Sequence, residues 1–153
     1  MKRLKELFVT PPILFIISVI LILLIYFYIN LIILPSTIFI YILSYILISI
    51  GMIFIISSIY SLMKNNTDIH PFRKPRILVT NFPFSISRNP IYLSFLLFLI
   101  SIYLYLRSVL GFIPVIAFYF VIEKKVIREE EKIISNSFGK KYLDYKDKVR
   151  RWI

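Results

Sequence analysis

The stretch VIREEEKIISNSF carries the side chains best suited to chemistry in this chain. At about 100° per residue, Val126, Ile127, Ile133, Ile134 and Phe138 share one face of a helix, with Lys125, Arg128 and Lys132 opposite. Glu130 falls near the centre of that apolar stripe, Glu131 on its edge, and Glu129 points away, with Lys125 four residues back. A solvated face accounts for Glu129 but not for Glu130, because a carboxylate on a buried face needs a donor or a cation. A second cluster, SISRNPIY from Ser85 to Tyr92, stands directly ahead of the apolar run SFLLFLISIYLYL. Its plain reading is a helix start: Asn89 as N-cap, Pro90 in the first helical position, Tyr92 in an aromatic belt and Arg88 snorkelling to headgroups. Its chemical reading is a helix N-terminus at a membrane boundary, offering free N–H groups and a positive dipole end to an anionic group of a ligand.

Both clusters have to be positioned by apolar elements. The chain has 153 residues, 59% of them hydrophobic and 17% aromatic, with nineteen Lys+Arg against eight Asp+Glu for a formal charge of +11. A soluble domain of that length has no means of hiding so much apolar surface, whereas a bilayer solvates it directly. The expectation is an all-α integral membrane protein forming a single domain, residues 1–153. The absence of cysteine excludes disulfides, thiolate metal sites and cysteine nucleophiles, and a single histidine builds no metal centre.

About four membrane spans can be marked: Ile13 to Ile29, Thr37 to Met63, Pro90 to Leu106 and Val109 to Ile122. The charged MKRLKELFVTPP before the first span resembles a signal peptide, but the apolar run is long and no small-x-small site follows, so a retained anchor is expected. A short turn at Asn30 to Ser36 separates the first two spans, and a polar segment from Lys64 to Arg88 follows the second. The last two spans form a hairpin about Arg107 and Ser108, and the final helix continues past the hydrocarbon into the glutamate cluster. Residues 1–63 thus supply two N-terminal spans, and 64–153 hold every chemical motif.

Basic residues orient the whole. Lys2, Arg3, Lys5, Lys64, Arg73, Lys74, Arg76, Arg88 and the dense set from Lys124 onward fall on one side, and Arg107 alone on the other. This bias places both termini and the central loop in the cytoplasm. Gly139 ends the long helix, and Tyr142, Tyr145, Val149 and Trp152 then recur at helical spacing among lysines and arginines. Such a segment is expected to lie as a cytoplasmic helix on anionic lipid, and the flanking spans make lipid rather than nucleic acid its partner. His70 reads as loop surface, with a role in closing over a ligand as the sharper alternative.

In order, HPFRKPRILVTNFPFSISRNPIYL and REEEKIISNSFGKKYLDYKDKVRRW resemble the membrane methyltransferase family that includes isoprenylcysteine carboxyl methyltransferases and phospholipid N-methyltransferases. The likeness covers Thr67 to Trp152: LVT, a turn, R-N-P-x-Y, paired glutamates, F-G, Y-x-x-Y and R-W. It implies an S-adenosylmethionine site on the cytoplasmic side of the last two helices. By position, Arg76, Ile77, Leu78 and Val79 would contact the cofactor before the turn, and Phe84 within it. Asn89, Pro90, Ile91 and Tyr92 would meet it at the helix mouth, with Glu130 as the acidic contact. Arg88, Glu130 and Glu131 are the expected catalytic groups, either glutamate serving as base if the acceptor is an amine and neither being needed if it is a carboxylate.

Two departures bear on the substrate. Eukaryotic prenylcysteine enzymes carry His where this chain has Asn89, and Arg where it has Val126, so the residue resembling their substrate-carboxylate clamp is missing. Asn89 resembles the broad prokaryotic branch instead. The expected activity is methylation of a lipophilic acceptor, a prenylated carboxylate or a lipid amine. The alternative is a non-enzymatic membrane subunit or scaffold whose polar residues only cap helices, and the sequence names no protein partner.

Overall fold

The computed structural model describes residues 10–29, 33–67 and 74–153. His70, Arg73 and the basic N-terminal residues lie outside the described residues. Helices α1 (Pro11–Tyr28) and α2 (Ile38–Lys64) are followed by α3 (Pro90–Leu106), a 3-10 turn (Val109–Gly111) and α4 (Phe112–Val121). A π-helical segment (Ile122–Ile127) joins α4 without a break to α5 (Arg128–Phe138), and α6 (Lys140–Lys148) follows. Among the described residues the sole β feature is an isolated bridge between Ile33 and Ser108. The all-helical expectation holds, with helix limits close to those marked from the sequence.

Two of these helices, α1 with 18 residues and α2 with 27, are long and apolar enough to cross a membrane, at mean hydropathies of 2.5 and 2.6. Helix α3 has 17 residues and α4 has 10, the latter relying on the π segment for further length. By length and composition these two helices are candidate membrane spans.

Helix α2 is built inside out. Its buried residues are Ser44, Gly51, Ser58 and Ser61, while Phe39, Ile53, Ile56, Tyr60 and Met63 are exposed. Ser44, Gly51 and Ser58 are spaced by seven, which returns a helix to nearly the same face. Where lipid is the solvent there is no hydrophobic drive between helices, so small residues that let backbones approach make the seam. Here the seam receives α3. The Ser101 hydroxyl donates to the Ser44 carbonyl at 2.8 Å, and a Cβ added at Gly51 would stand 2.5 Å from the Phe98 ring.

A second contact zone, among α1, α3 and α4, is conventional. Ile22, Leu99, Val115, Phe118 and Ile122 are buried together, extended by Val126 and Ile127 of the π segment, and Phe15 stacks on Phe95 with centroids 5.0 Å apart. The hairpin turn sits where expected: Arg107 adopts a left-handed conformation at φ 58° and its carbonyl accepts from the Leu34 N–H at 2.7 Å. Gly139 ends α5 at φ 51° and ψ −124°, a backbone conformation that favours glycine whatever the free space around it.

The tail departs from the periodic reading. Helix α6 stops at Lys148, Val149 is extended, and neither Val149 nor Trp152 lies on the helix. Backbone pairing explains the break. The Arg88 N–H donates to the Arg150 carbonyl at 3.0 Å, so the last residues run alongside the entrance to α3.

The seam yields a direct test. Gly51→Val should destabilise the protein by about 1 to 3 kcal/mol through overpacking against Phe98. Ile53→Val, on the exposed side of the same helix, should change little. Thermal unfolding of both variants in detergent measures the contrast.

Candidate functional site

The entrance to α3 and the inward face of α5 meet over one cavity of about 150 Å³. Its floor and near wall come from Arg88, Asn89, Pro90, Ile91 and Tyr92. Glu130, Glu131, Ile133 and Ile134 of α5 form the facing wall, and Ile77, Leu78, Val79 and Phe84 close a third side. The loop reaches this position through tight turns, the Phe84 N–H bonding the Asn81 carbonyl at 2.8 Å and the Ser87 N–H the Pro83 carbonyl at 3.3 Å. Of the residues singled out in the sequence, Arg76 alone among those described stays outside: it is exposed and does not border the cavity. The chain bends at Arg76 and Ile77, with Pro75 and Ile77 on the wall and the Arg76 side chain in solvent.

The two walls are joined by one short bond. The Tyr92 hydroxyl donates to Glu130 Oε1 at 2.6 Å. Tyr92 lies one turn into α3, and Glu130 lies in the first turn of α5, where the apolar stripe carries it inward. Burial is the leading influence on the Glu130 carboxyl, opposed by the Tyr92 bond and reinforced by the charge of Glu131, and it pushes the group up to about 7. Glu130 is thus poised to exchange a proton near neutrality, or to ionise fully once a cation arrives.

Glu131 is held differently. Arg88 Nη2 lies 3.0 Å from its Oε1, and Arg151 reaches it twice, Nε to Oε1 at 3.0 Å and Nη2 to Oε2 at 2.8 Å. Arg151 Nη1 also bonds Glu123 Oε1 at 2.9 Å. Eight residues separate Glu123 from Glu131, an offset of about 80° in a regular α-helix. The wider turns of the intervening π segment take up part of that offset and let one guanidinium serve both carboxylates. Glu129 points to solvent as expected, but its cation is Lys132 at 2.8 Å rather than Lys125.

Backbone contacts fasten the same tail to the α3 entrance. The Arg151 carbonyl accepts from Asn89 Nδ2 at 3.0 Å and from the Ser87 hydroxyl at 3.2 Å. Asn89 therefore makes no side-chain cap on α3, correcting the plain N-cap reading. Its amide positions the tail while its main chain borders the cavity. Tyr142 and Tyr145, read from the sequence as part of a surface helix, are buried against the site, and the Tyr145 hydroxyl donates to the Phe84 carbonyl at 2.6 Å. Burial raises both phenols, Tyr142 up to about 12, so both remain protonated donors.

Sequence reasoning passed over Arg151, Glu123 and Ser87. The R-W pair had been noted as a motif, yet nothing in its local spacing shows that its guanidinium joins two glutamates. Val126, where an arginine clamp would stand in prenylcysteine enzymes, is wholly buried beside Ile122 and Phe118. The valine there packs as part of the apolar core.

The family model for phospholipid methyltransferases matches residues 39–141, well over half of the sequence. The chain belongs to the phospholipid methyltransferase family. Membership implies methyltransferase activity in general and, with the apolar helices, a place in the membrane. The sequence is also similar to an uncharacterized protein of Haemophilus influenzae, 44% identical over 62 residues, which span 40% of this chain and 98% of that one. No solved structure matches.

The Glu130 carboxyl links stability to pH with a definite sign. The folded state holds this proton more tightly than the unfolded chain, so the contribution is full below about pH 4.5 and is lost as pH rises toward 7, by about 3 kcal/mol. Glu130→Gln should flatten that part of the stability profile, as measured by thermal unfolding in detergent between pH 4.5 and 8.

Proposed function

We propose that the protein is an S-adenosylmethionine-dependent methyltransferase acting on a lipophilic acceptor that reaches the cavity from the bilayer. The observation that carries the reading is the Tyr92–Glu130 bond across a cavity bordered by every expected cofactor contact except Arg76. Four membrane spans, with both termini and the site on the cytoplasmic face, complete the proposal and rest on the distribution of Lys and Arg.

The residues present fit the cofactor. Glu130 is a carboxylate at the cavity with a tyrosine hydroxyl as partner and no cation among the described residues within bonding distance, while Ile133 and Ile134 beside it are apolar. Bound S-adenosylmethionine supplies a methyl group on a cationic sulfonium, beside a cationic amino group. Glu130 would hold it through charge, stabilising the ionised carboxylate in turn. Ile77, Leu78, Val79, Ile133 and Ile134 exclude water from the space where donor and acceptor must align, which is the larger part of what an in-line displacement requires.

The two glutamates divide their tasks. Glu131 is engaged by two guanidinium groups and holds the α3 entrance, α5 and the tail in register. Pushed up to about 7, Glu130 is in part ionised near neutrality, and in that form it is the group that would take the proton an amine acceptor gives up, becoming the carboxylic acid. A carboxylate acceptor needs no such base. Methylation of a lipid amine therefore makes fuller use of this site than methylation of a prenylated carboxylate, and burial of Val126 in place of a clamp points the same way.

Purified protein should bind S-adenosylhomocysteine saturably, with affinity falling as pH drops through 7 because Glu130 must ionise to receive the cation. Glu130→Gln should weaken binding about tenfold or more, the worth of one charged hydrogen bond. Calorimetry in two buffers of different ionisation enthalpy reads both the affinity and the proton released. Equal binding by wild type and Glu130→Gln would overturn the assignment, and labelled methyl transfer to a total lipid extract identifies the acceptor.

A further inference from the structure

Arg88 has more donors than its partners use. Its side chain is only 7% exposed and borders the cavity, and a single contact, Nη2 to Glu131, answers it. Nε and Nη1 are buried without a hydrogen-bond partner. Leaving donors of a charged group unmet in a buried place costs more than an ordinary hydrogen bond is worth, and native structures seldom leave them so. Glu131 does not cancel this cation alone, since both of its oxygens are shared with Arg151. The Tyr142 ring, 6.0 Å from the guanidinium carbon, covers one side and supplies no acceptor there.

Arg88 also stands two residues before Pro90, where α3 begins. The first N–H groups of a helix lack partners within it, and the positive end of the helix dipole adds to the guanidinium charge. Asn89, the one side chain that could have capped this end, is turned to the Arg151 carbonyl instead. Positive potential is therefore concentrated on the α3 side of the cavity, and the Glu130 carboxylate stands on the α5 side.

We propose that Arg88, with the α3 N-terminus, is a receptor for an anionic oxygen group of a ligand in this cavity, a carboxylate or a phosphate. The proposal rests on the methyltransferase reading and deepens it, because it gives the cavity two poles: a carboxylate for a cationic centre and a guanidinium for an anionic one. Two ligands carry such a group. One is the amino-acid carboxylate of the cofactor, and the other is the phosphodiester of a phospholipid acceptor.

Ligand pairs that differ in the anion alone separate the sources. S-adenosylhomocysteine is compared with its decarboxylated form, 5′-S-(3-aminopropyl)-5′-thioadenosine, which lacks only the carboxylate, and dihexanoyl phosphatidic acid with dihexanoylglycerol, which lacks only the phosphate. In one of the two pairs the anionic member should bind wild-type protein about tenfold or more tightly than its counterpart. Arg88→Met should erase that advantage and Arg88→Lys should keep part of it, while helical circular dichroism and thermal unfolding in detergent report whether each variant keeps its fold. An effect in the nucleoside pair assigns the cofactor carboxylate, and one in the lipid pair assigns the headgroup phosphate. An advantage in either pair that survives Arg88→Met, or no advantage in both, overturns the proposal. Failure of both nucleosides to bind wild type would count against the cofactor reading instead, and the lipid pair would then decide the anion site by itself.

Discussion

A short hydrogen bond from the Tyr92 hydroxyl to the Glu130 carboxylate, beside the Arg88–Glu131 ion pair, joins two helices that are far apart in sequence. Without it, the mouth of α3 is a helix start with proline in its usual place, and α5 is an amphipathic extension of a membrane hairpin. Joined, they enclose a hollow with a carboxylate whose proton is held near neutrality by burial. A cation placed beside such a carboxyl would favour its ionised form. A folded protein keeps such a group only where the surrounding packing over-determines it, and here the packing is that of α3 against α1, α2 and α4.

The supporting structure is ionic where the site itself is sparing with charge. Arg88, Glu131, Arg151 and Glu123 form a chain of salt bridges that ties the α3 entrance to the long final helix through the end of the chain. Removing one partner from such a network leaves the others buried and unanswered, so the network enforces geometry more than it adds net stability. Hydrogen bonds from Ser87, Arg88 and Asn89 to the carbonyls of Arg150 and Arg151 repeat the same tie in the backbone. Arg150 and Arg151 therefore brace the α3 entrance from outside the cavity.

Features that depend on local period were legible in the sequence. The helices follow from apolar runs closed by Pro, Gly and charge, and Glu130 could be placed inward because the stripe of Ile133 and Ile134 runs on both sides of it at helical spacing. The serine and glycine seam of α2 was present at intervals of seven but lay hidden among isoleucines, since a helix in lipid carries its large residues outward and reverses the usual signal. Contacts requiring the chain to double back were not legible. Arg151 meets Glu131 only because α6 turns at Gly139, and it meets Glu123 only because the π segment changes the helical phase. Asn89 misled for the same reason: its local chemistry suits a cap, and a carbonyl 62 residues away takes its amide.

The absence of cysteine permits a direct test of the central claim that the inward face of α5 lines a cofactor cavity. A single cysteine placed at Ile134, on the cavity wall, and another at Lys132, on the outer face of the same helix, would be reacted with a maleimide in detergent. S-adenosylhomocysteine should slow the reaction of Ile134→Cys and leave Lys132→Cys unaffected. Equal reaction rates at Ile134→Cys with and without saturating nucleoside would show that α5 does not face the ligand, and the account would fail.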